Sequence, residues 1–314
     1  MSYAPFRDLN PFGKLIMTFF LMGACYLVIF ILTFLAAMPL FGKTLNEIIE
    51  LFTSGNFKNE INLLSFFQVT YSLGLFLIPA LLAGFLFYGK SLEYLSGKVK
   101  PLGVTLILSV LLVLCSVPLI NFLAEFNMNI SLPDKLSGLE SRLRETESEA
   151  EKLMDLFLSD TSVSRFIINL LMIAVIPAFG EEFFFRGILQ RIFTEWFRNK
   201  HAAIIIVAIL FSFMHLQFLG FIPRILLGAL FGYMLAWTGS IWVPVLAHFV
   251  NNSIAVGFYF FYNRGLISDD LNTVGSGRDS ILYTLSSILF ISVIMGAIWY
   301  VERRKANQSP GPVA

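Results

Sequence analysis

Apolar residues gather along this chain into eight blocks, near residues 15–37, 64–88, 102–124, 163–198, 202–218, 222–238, 241–262 and 281–301. About 20 apolar residues in a helix cross a hydrocarbon core ~30 Å thick. Within that core a helix has the advantage that it satisfies its own backbone polar groups. The blocks therefore predict an all-α fold, a polytopic transmembrane helical bundle of about eight spans. The first block exceeds the ~7–15 apolar residues of a signal peptide and reads as a retained helix. Two of the intervening segments also look helical. KTLNEIIELFTSG, near 43–55, reads as an amphipathic surface helix. DKLSGLESRLRETESEAEKLMDLF, within the connection 126–162, reads as an exposed or interfacial charged helix, with a lid over a site as the lesser alternative. The polar tail KANQSPGPVA reads as disordered.

Composition supports this environment. Hydrophobic residues make up 57% of the 314 positions and charged ones 14%, which excludes an ordinary soluble domain. The 34 phenylalanines would leave sticky surfaces in water but suit lipid. A net charge of +1 points to no particular partner, and nucleic acid is not expected. Cys25 and Cys115 both lie in apolar runs, which argues against a disulfide framework or a cysteine metal site. Basic residues fall on one side of an eight-span arrangement: Arg7 and Lys14; Lys90, Lys98 and Lys100; Arg191, Arg198 and Lys200; Arg303, Arg304 and Lys305. Both termini are then expected in the cytoplasm and the protein in the cell (inner) membrane. The chain divides into N-terminal spans with an extracytoplasmic connection (1–160), a helical core (161–262), and a last span with its polar tail (263–314).

The fourth block breaks the apolar pattern. In PAFGEEFFFRGILQRIF it carries two adjacent acids, Glu181 and Glu182, followed by Arg186. Ionisable groups at membrane depth are costly, and a functional site is the default reading. Pro177 and Gly180 predict a kink or break, with the freed backbone groups buried in protein or lining a wet cavity. In a continuing helix Glu182 and Arg186 share a face and can pair, while Glu181 points about 100° away. One carboxylate is then neutralised and the other is left to handle a proton.

Later blocks add His215, His248 and Asn252. At ~1.5 Å per residue, Glu181 lies about 25 Å from Arg198, His215 about 21 Å from His201 and Asn252 about 20 Å from Gly239. His248 comes out shallower, at about 13 Å by the same count. His248 and Asn252 share a helix face and can donate to one oxyanion. Other polar residues have plainer readings. His201 is interfacial, Asn251 a packing amide, and Arg224, Pro223, Gly228 and Gly232 mark helix entry and close helix packing.

Glu181, Glu182 and Arg186 form Glu-Glu-x-x-x-Arg, Phe211 and His215 form Phe-x-x-x-His, and His248 and Asn252 form His-x-x-x-Asn. Over residues 165 to 256 the chain thereby resembles the CAAX prenyl endopeptidase and bacteriocin-processing (CPBP, Abi-type) family, with all three motifs in order. The resemblance implies an intramembrane endopeptidase in which Glu181 and His215 activate a water. It implies that His248 and Asn252 stabilise the oxyanion, and that Phe211 packs the His215 ring. Glu182 and Arg186 would orient the base, or Glu182 would share that role. The family has been described as both glutamate proteases and metalloproteases. Zinc is thus an alternative that a Glu-His-His set suits, although the chain lacks a His-Glu-x-x-His helix. A metal-free mechanism is preferred, with an Asn252 amide better suited to an oxyanion than to zinc.

The implied substrate is a peptide or lipidated protein cut near the membrane surface, alongside contact with membrane lipid. Nothing in the sequence fixes an oligomeric state. Two other classes stay open. A non-catalytic immunity or scaffold protein could share the fold, and a proton-coupled transporter could place similar groups at midplane, although no duplicated half is visible.

Overall fold

The computed structural model describes residues 4–267 and 280–308. Within them seven helices are long and apolar enough to cross a membrane, and the all-α polytopic bundle read from the sequence is what the chain forms. Helix α1 (Pro11–Phe41) starts on Asn10, whose side chain accepts the Gly13 N–H at 2.7 Å, and stops at Gly42 in the left-handed region. Its exposed Phe20, Leu27 and Leu35 present an apolar face suited to lipid. The short α2 (Leu45–Ser54) begins with a capping box between Thr44 and Glu47 and buries Ile48. It is the amphipathic helix that the sequence suggests.

Helix α3 (Ile61–Tyr88) is followed by one turn, α4 (Ser91–Tyr94), and by α5 (Gly103–Met128). The charged α6 (Ser137–Leu158) comes next, then the long α7 (Val163–Phe197). Helices α8 (Lys200–Met214) and α9 (Phe221–Thr238) form a tight hairpin, followed by α10 (Trp242–Asn263) and α11 (Ser280–Gln308). The start of the polar tail thus continues α11 through Gln308, while residues 309–314 lie outside the described residues.

Two corrections concern the site. First, the fifth block is a helix of only 15 residues rather than a span reaching 218. At 1.5 Å per residue it covers ~22 Å, short of a ~30 Å core. It ends because Leu216 takes φ +52°, and His215 and Leu216 bond back three residues to Ser212 and Phe213. Side chains distant in sequence hold the following loop: Glu147 Oε2 accepts the Leu219 N–H at 2.7 Å, and Asn127 Oδ1 accepts that of Ile222 at 3.2 Å.

Second, α7 does not break at Pro177. It widens into π-helical turns at Leu170–Val175 and Glu182–Leu189, an irregularity common at functional sites. Pro177 has no N–H for the carbonyl of Ile173, four residues earlier. The Asn252 Nδ2 of α10 donates to that carbonyl instead, at 2.9 Å.

Two apolar clusters flank the wholly buried stretch 181–190 of α7. One joins Phe76 and Ala80 of α3, Phe184 and Ile188 of α7, and Val207 and Phe211 of α8. The other joins Leu112 of α5, Phe231 and Met234 of α9, Ala247 of α10 and Ile298 of α11. Gly228 lets α9 approach Ala208 closely, and its carbonyl accepts from Arg186 Nη2 at 3.3 Å. The glycine spacing in α9 therefore makes room for a buried cation as well as for a helix.

Candidate active site

Glu182 lies on the inner side of α7 with no exposure. Its Oε1 accepts from Arg186 Nη1 at 2.8 Å, and both side chains are fully buried. The same oxygen lies 2.8 Å from His248 Nδ1. A carboxylate gripped by a guanidinium accepts, so His248 carries a proton on Nδ1 and donates it there. The guanidinium of Arg186 is sandwiched by aromatic rings, 4.4 Å from the centroid of Phe211 and 5.5 Å from that of Phe231. Phe231 also stacks on His248, with centroids 5.5 Å apart. Burying charges is tolerable when they are paired and hydrogen-bonded, which this arrangement supplies for Glu182 Oε1 and both Nη atoms of Arg186, while Glu182 Oε2 and Arg186 Nε have no hydrogen-bond partner among the described residues.

His215 is oriented from the other direction. Its Nδ1 lies 2.8 Å from the Phe211 carbonyl and donates to it, while Phe211 packs edge-on against the ring at 4.9 Å. Both histidines therefore turn Nε2 outward as a lone-pair nitrogen, and both nitrogens come to 3.9 Å from Glu181 Oε2. Among the described residues that oxygen receives no hydrogen bond. Three acceptors converging on one point match a molecule that brings donors, and water brings two.

Asn252 stands beside this cluster. Besides its bond to Ile173, its Oδ1 accepts from Asn251 Nδ2 at 3.1 Å, which fixes which end of the amide faces which neighbour. One of its two amide N–H groups is thus held by backbone, and the second is left for other use. The six residues singled out in the sequence, Glu181, Glu182, Arg186, His215, His248 and Asn252, lie in one neighbourhood. Glu181 lies with His215 and His248, and Glu182 with Arg186 and His248. Phe231 carries no signal in the sequence beyond its apolar class, and Arg224 reads there only as helix entry.

A tetrahedral zinc with bonds of about 2.0–2.2 Å draws its donors to about 3.4 Å of one another. The histidine nitrogens stand wider than that from Glu181. Among the described residues no three His, Cys, Asp or Glu side chains are arranged as a metal site. As placed, these donors do not fit zinc.

Two cavities meet at the cluster, and both are lined by Glu181, His215 and Asn252. One, of about 270 Å³, runs towards Leu158, Arg224 and Tyr259. The other, of about 370 Å³, runs towards Gln68, Tyr71 and Phe157. The charged helix α6 is more than an exposed connection, because its Met154 lines both cavities and its Glu147 holds the loop after His215.

The chain is thus an integral membrane protein with an acid–histidine cluster buried in its core. Residues 163–254 match the family model described as type II CAAX prenyl endopeptidase Rce1-like, in line with the resemblance carried by the three motifs. The match covers residues 163–254 alone, less than a third of the chain. Over 94 residues the chain is 33% identical to a protein of Bacillus subtilis (strain 168) called uncharacterized protein YpbD. That similarity covers 29% of this chain and 45% of the relative, so the chain matches less than half of the relative's length. No solved structure matches the chain.

Proposed function

We propose that the protein is an intramembrane endopeptidase that hydrolyses peptide bonds with a water activated by Glu181. The observation that carries this reading is the approach of two histidine Nε2 atoms to one carboxylate oxygen, each at 3.9 Å. A water donating to Glu181 Oε2 and His215 Nε2 keeps a lone pair free for the scissile carbonyl. Glu181 takes a proton as the C–O bond forms and returns it to the amine as the C–N bond breaks. The remaining Asn252 N–H donates to the oxyanion, and His248, fixed by its bond to Glu182, lines the other side of the water. Glu182 and Arg186 position His248 and do not touch the reacting atoms.

Cavities on both sides of the cluster suit a chain that continues past the bond being cut. The substrate is a peptide or a lipidated protein reached from the membrane. The basic residues at the ends of the spans support cytoplasmic termini and a seat in the host's cell (inner) membrane. The test is cleavage of a fluorogenic lipidated peptide by detergent-purified protein beside Glu181→Gln. The reading requires activity in the parent and its loss in a variant that keeps the parent's melting temperature.

A further inference from the structure

The two cavities differ in charge. Among the side chains lining the one of about 370 Å³ there is no lysine or arginine, whereas that of about 270 Å³ holds one arginine, Arg224. The guanidinium of Arg224 is tied to neutral oxygens only. Nη1 donates to the Gln217 carbonyl at 3.1 Å and Nη2 to Gln217 Oε1 at 2.6 Å. Among the described residues no carboxylate comes within ion-pair distance of it, although Glu147 and Glu181 act on it from farther off. The group is also accommodated by its surroundings, since a Cβ on Gly220 would take the space that it fills.

Arg186, by contrast, is closed off by its own glutamate. A half-buried arginine in a reaction cavity, aimed by a glutamine and lacking a direct counter-ion, is a receptor for an anion. The rest of that wall is largely apolar, with Leu158, Leu227 and Val256. An anion arriving there on a peptide is a carboxylate.

We infer that Arg224 is a specificity-determining residue that binds a carboxylate of the substrate on the side of the scissile bond seated in this cavity. The inference rests on the peptidase reading and deepens it. The carboxylate comes either from the chain's own C-terminus or from an aspartate or glutamate side chain. The cavity at Arg224 holds the charged part of the substrate and the cavity at Tyr71 its uncharged part. The Tyr71 side continues towards an aromatic cavity of about 350 Å³ that Gln68, Tyr71 and Leu153 also line.

The test uses fluorescent apolar hexapeptides in matched forms: free acid, C-terminal amide, and amide with an internal aspartate or asparagine. Cleavage is measured as kcat/KM, and binding is measured separately on Glu181→Gln, so that a result does not depend on turnover. The parent should favour one acid form over its neutral counterpart by about 10- to 100-fold, the range of a charge-assisted pair. Whichever acid shows the preference identifies the source of the carboxylate.

Arg224→Gln should erase that preference, with the loss of kcat/KM falling on the acid form. Gly220→Ala, which displaces the guanidinium and keeps the charge, should weaken the preference without changing the neutral rate. Equal handling of acid and neutral peptides by the parent overturns the inference. So does an equal loss on both forms in Arg224→Gln, which would make Arg224 only a tether for the loop. If the parent cuts nothing, the peptidase reading fails, and the binding ratio still decides the role of Arg224.

Discussion

His248 and Arg186 share a single oxygen: Glu182 Oε1 lies 2.8 Å from His248 Nδ1 and 2.8 Å from Arg186 Nη1. This separates the two adjacent acids by role. In the proposed mechanism Glu182 is a positioning anion, and Glu181 is the one turned to the cavities. Glu182→Gln leaves a buried guanidinium without its partner, a loss of about 3–5 kcal/mol in such pairs. Thermal melts in detergent should show a marked fall for Glu182→Gln and little change for Glu181→Gln, with activity lost in both. Equal melting temperatures would remove the distinction.

Asn252 can be tested for its second duty. Asn252→Ala should lower the rate by about 100- to 1000-fold through the lost oxyanion donor. It should also destabilise by about 1–3 kcal/mol, because the Ile173 carbonyl loses its partner beneath Pro177. In the double variant Pro177→Ala, Asn252→Ala, the restored backbone N–H at 177 can take up that carbonyl. Stability should recover while activity does not, as read by melting temperature and peptide cleavage on the same preparations.

Metal removal gives a third outcome. The spacing of the histidines from Glu181 favours water over zinc, so cleavage should survive dialysis against a zinc chelator. Elemental analysis of active protein should find far less than one zinc per chain. Activity that disappears on chelation and returns with zinc alone would reverse this assignment.

Glu140, in the charged helix outside the membrane spans, provides a pH-dependent contact. It accepts the Leu132 N–H at 2.8 Å and Arg144 Nε at 2.9 Å. These bonds, the backbone one first, hold its carboxyl below the ordinary value of 4.5. A folded value lower than the unfolded one means that the contact stabilises fully above the unfolded value and is lost as pH falls through the folded one. Pepsin cleavage between residues 130 and 140 should therefore accelerate as acid protonates Glu140. Glu140→Gln should be cut quickly throughout the acidic range, with no such onset.

The spans and the acid–histidine set were legible in the sequence because both rest on local signals. Apolar runs mark helices, and charged groups inside them stand out. The short α8 was not legible, since its end depends on Asn127 and Glu147, side chains that arrive from α5 and α6 to hold the loop. The continuity of α7 through Pro177 was hidden for a similar reason, because the carbonyl that the proline frees is satisfied by Asn252 from another helix. Arg224 reads as ordinary helix entry until the cavity beside it is seen.

For a peptidase, cavities of about 270 and 370 Å³ on either side of Glu181 govern the fate of the two products. In the proposed mechanism the newly made amine and the newly made acid come to rest in different chambers. Resynthesis would need both ends to return to Glu181 at the same moment. On that reading each fragment can instead drift off through its own chamber, so the partition of the site slows rejoining of the fragments before they are released.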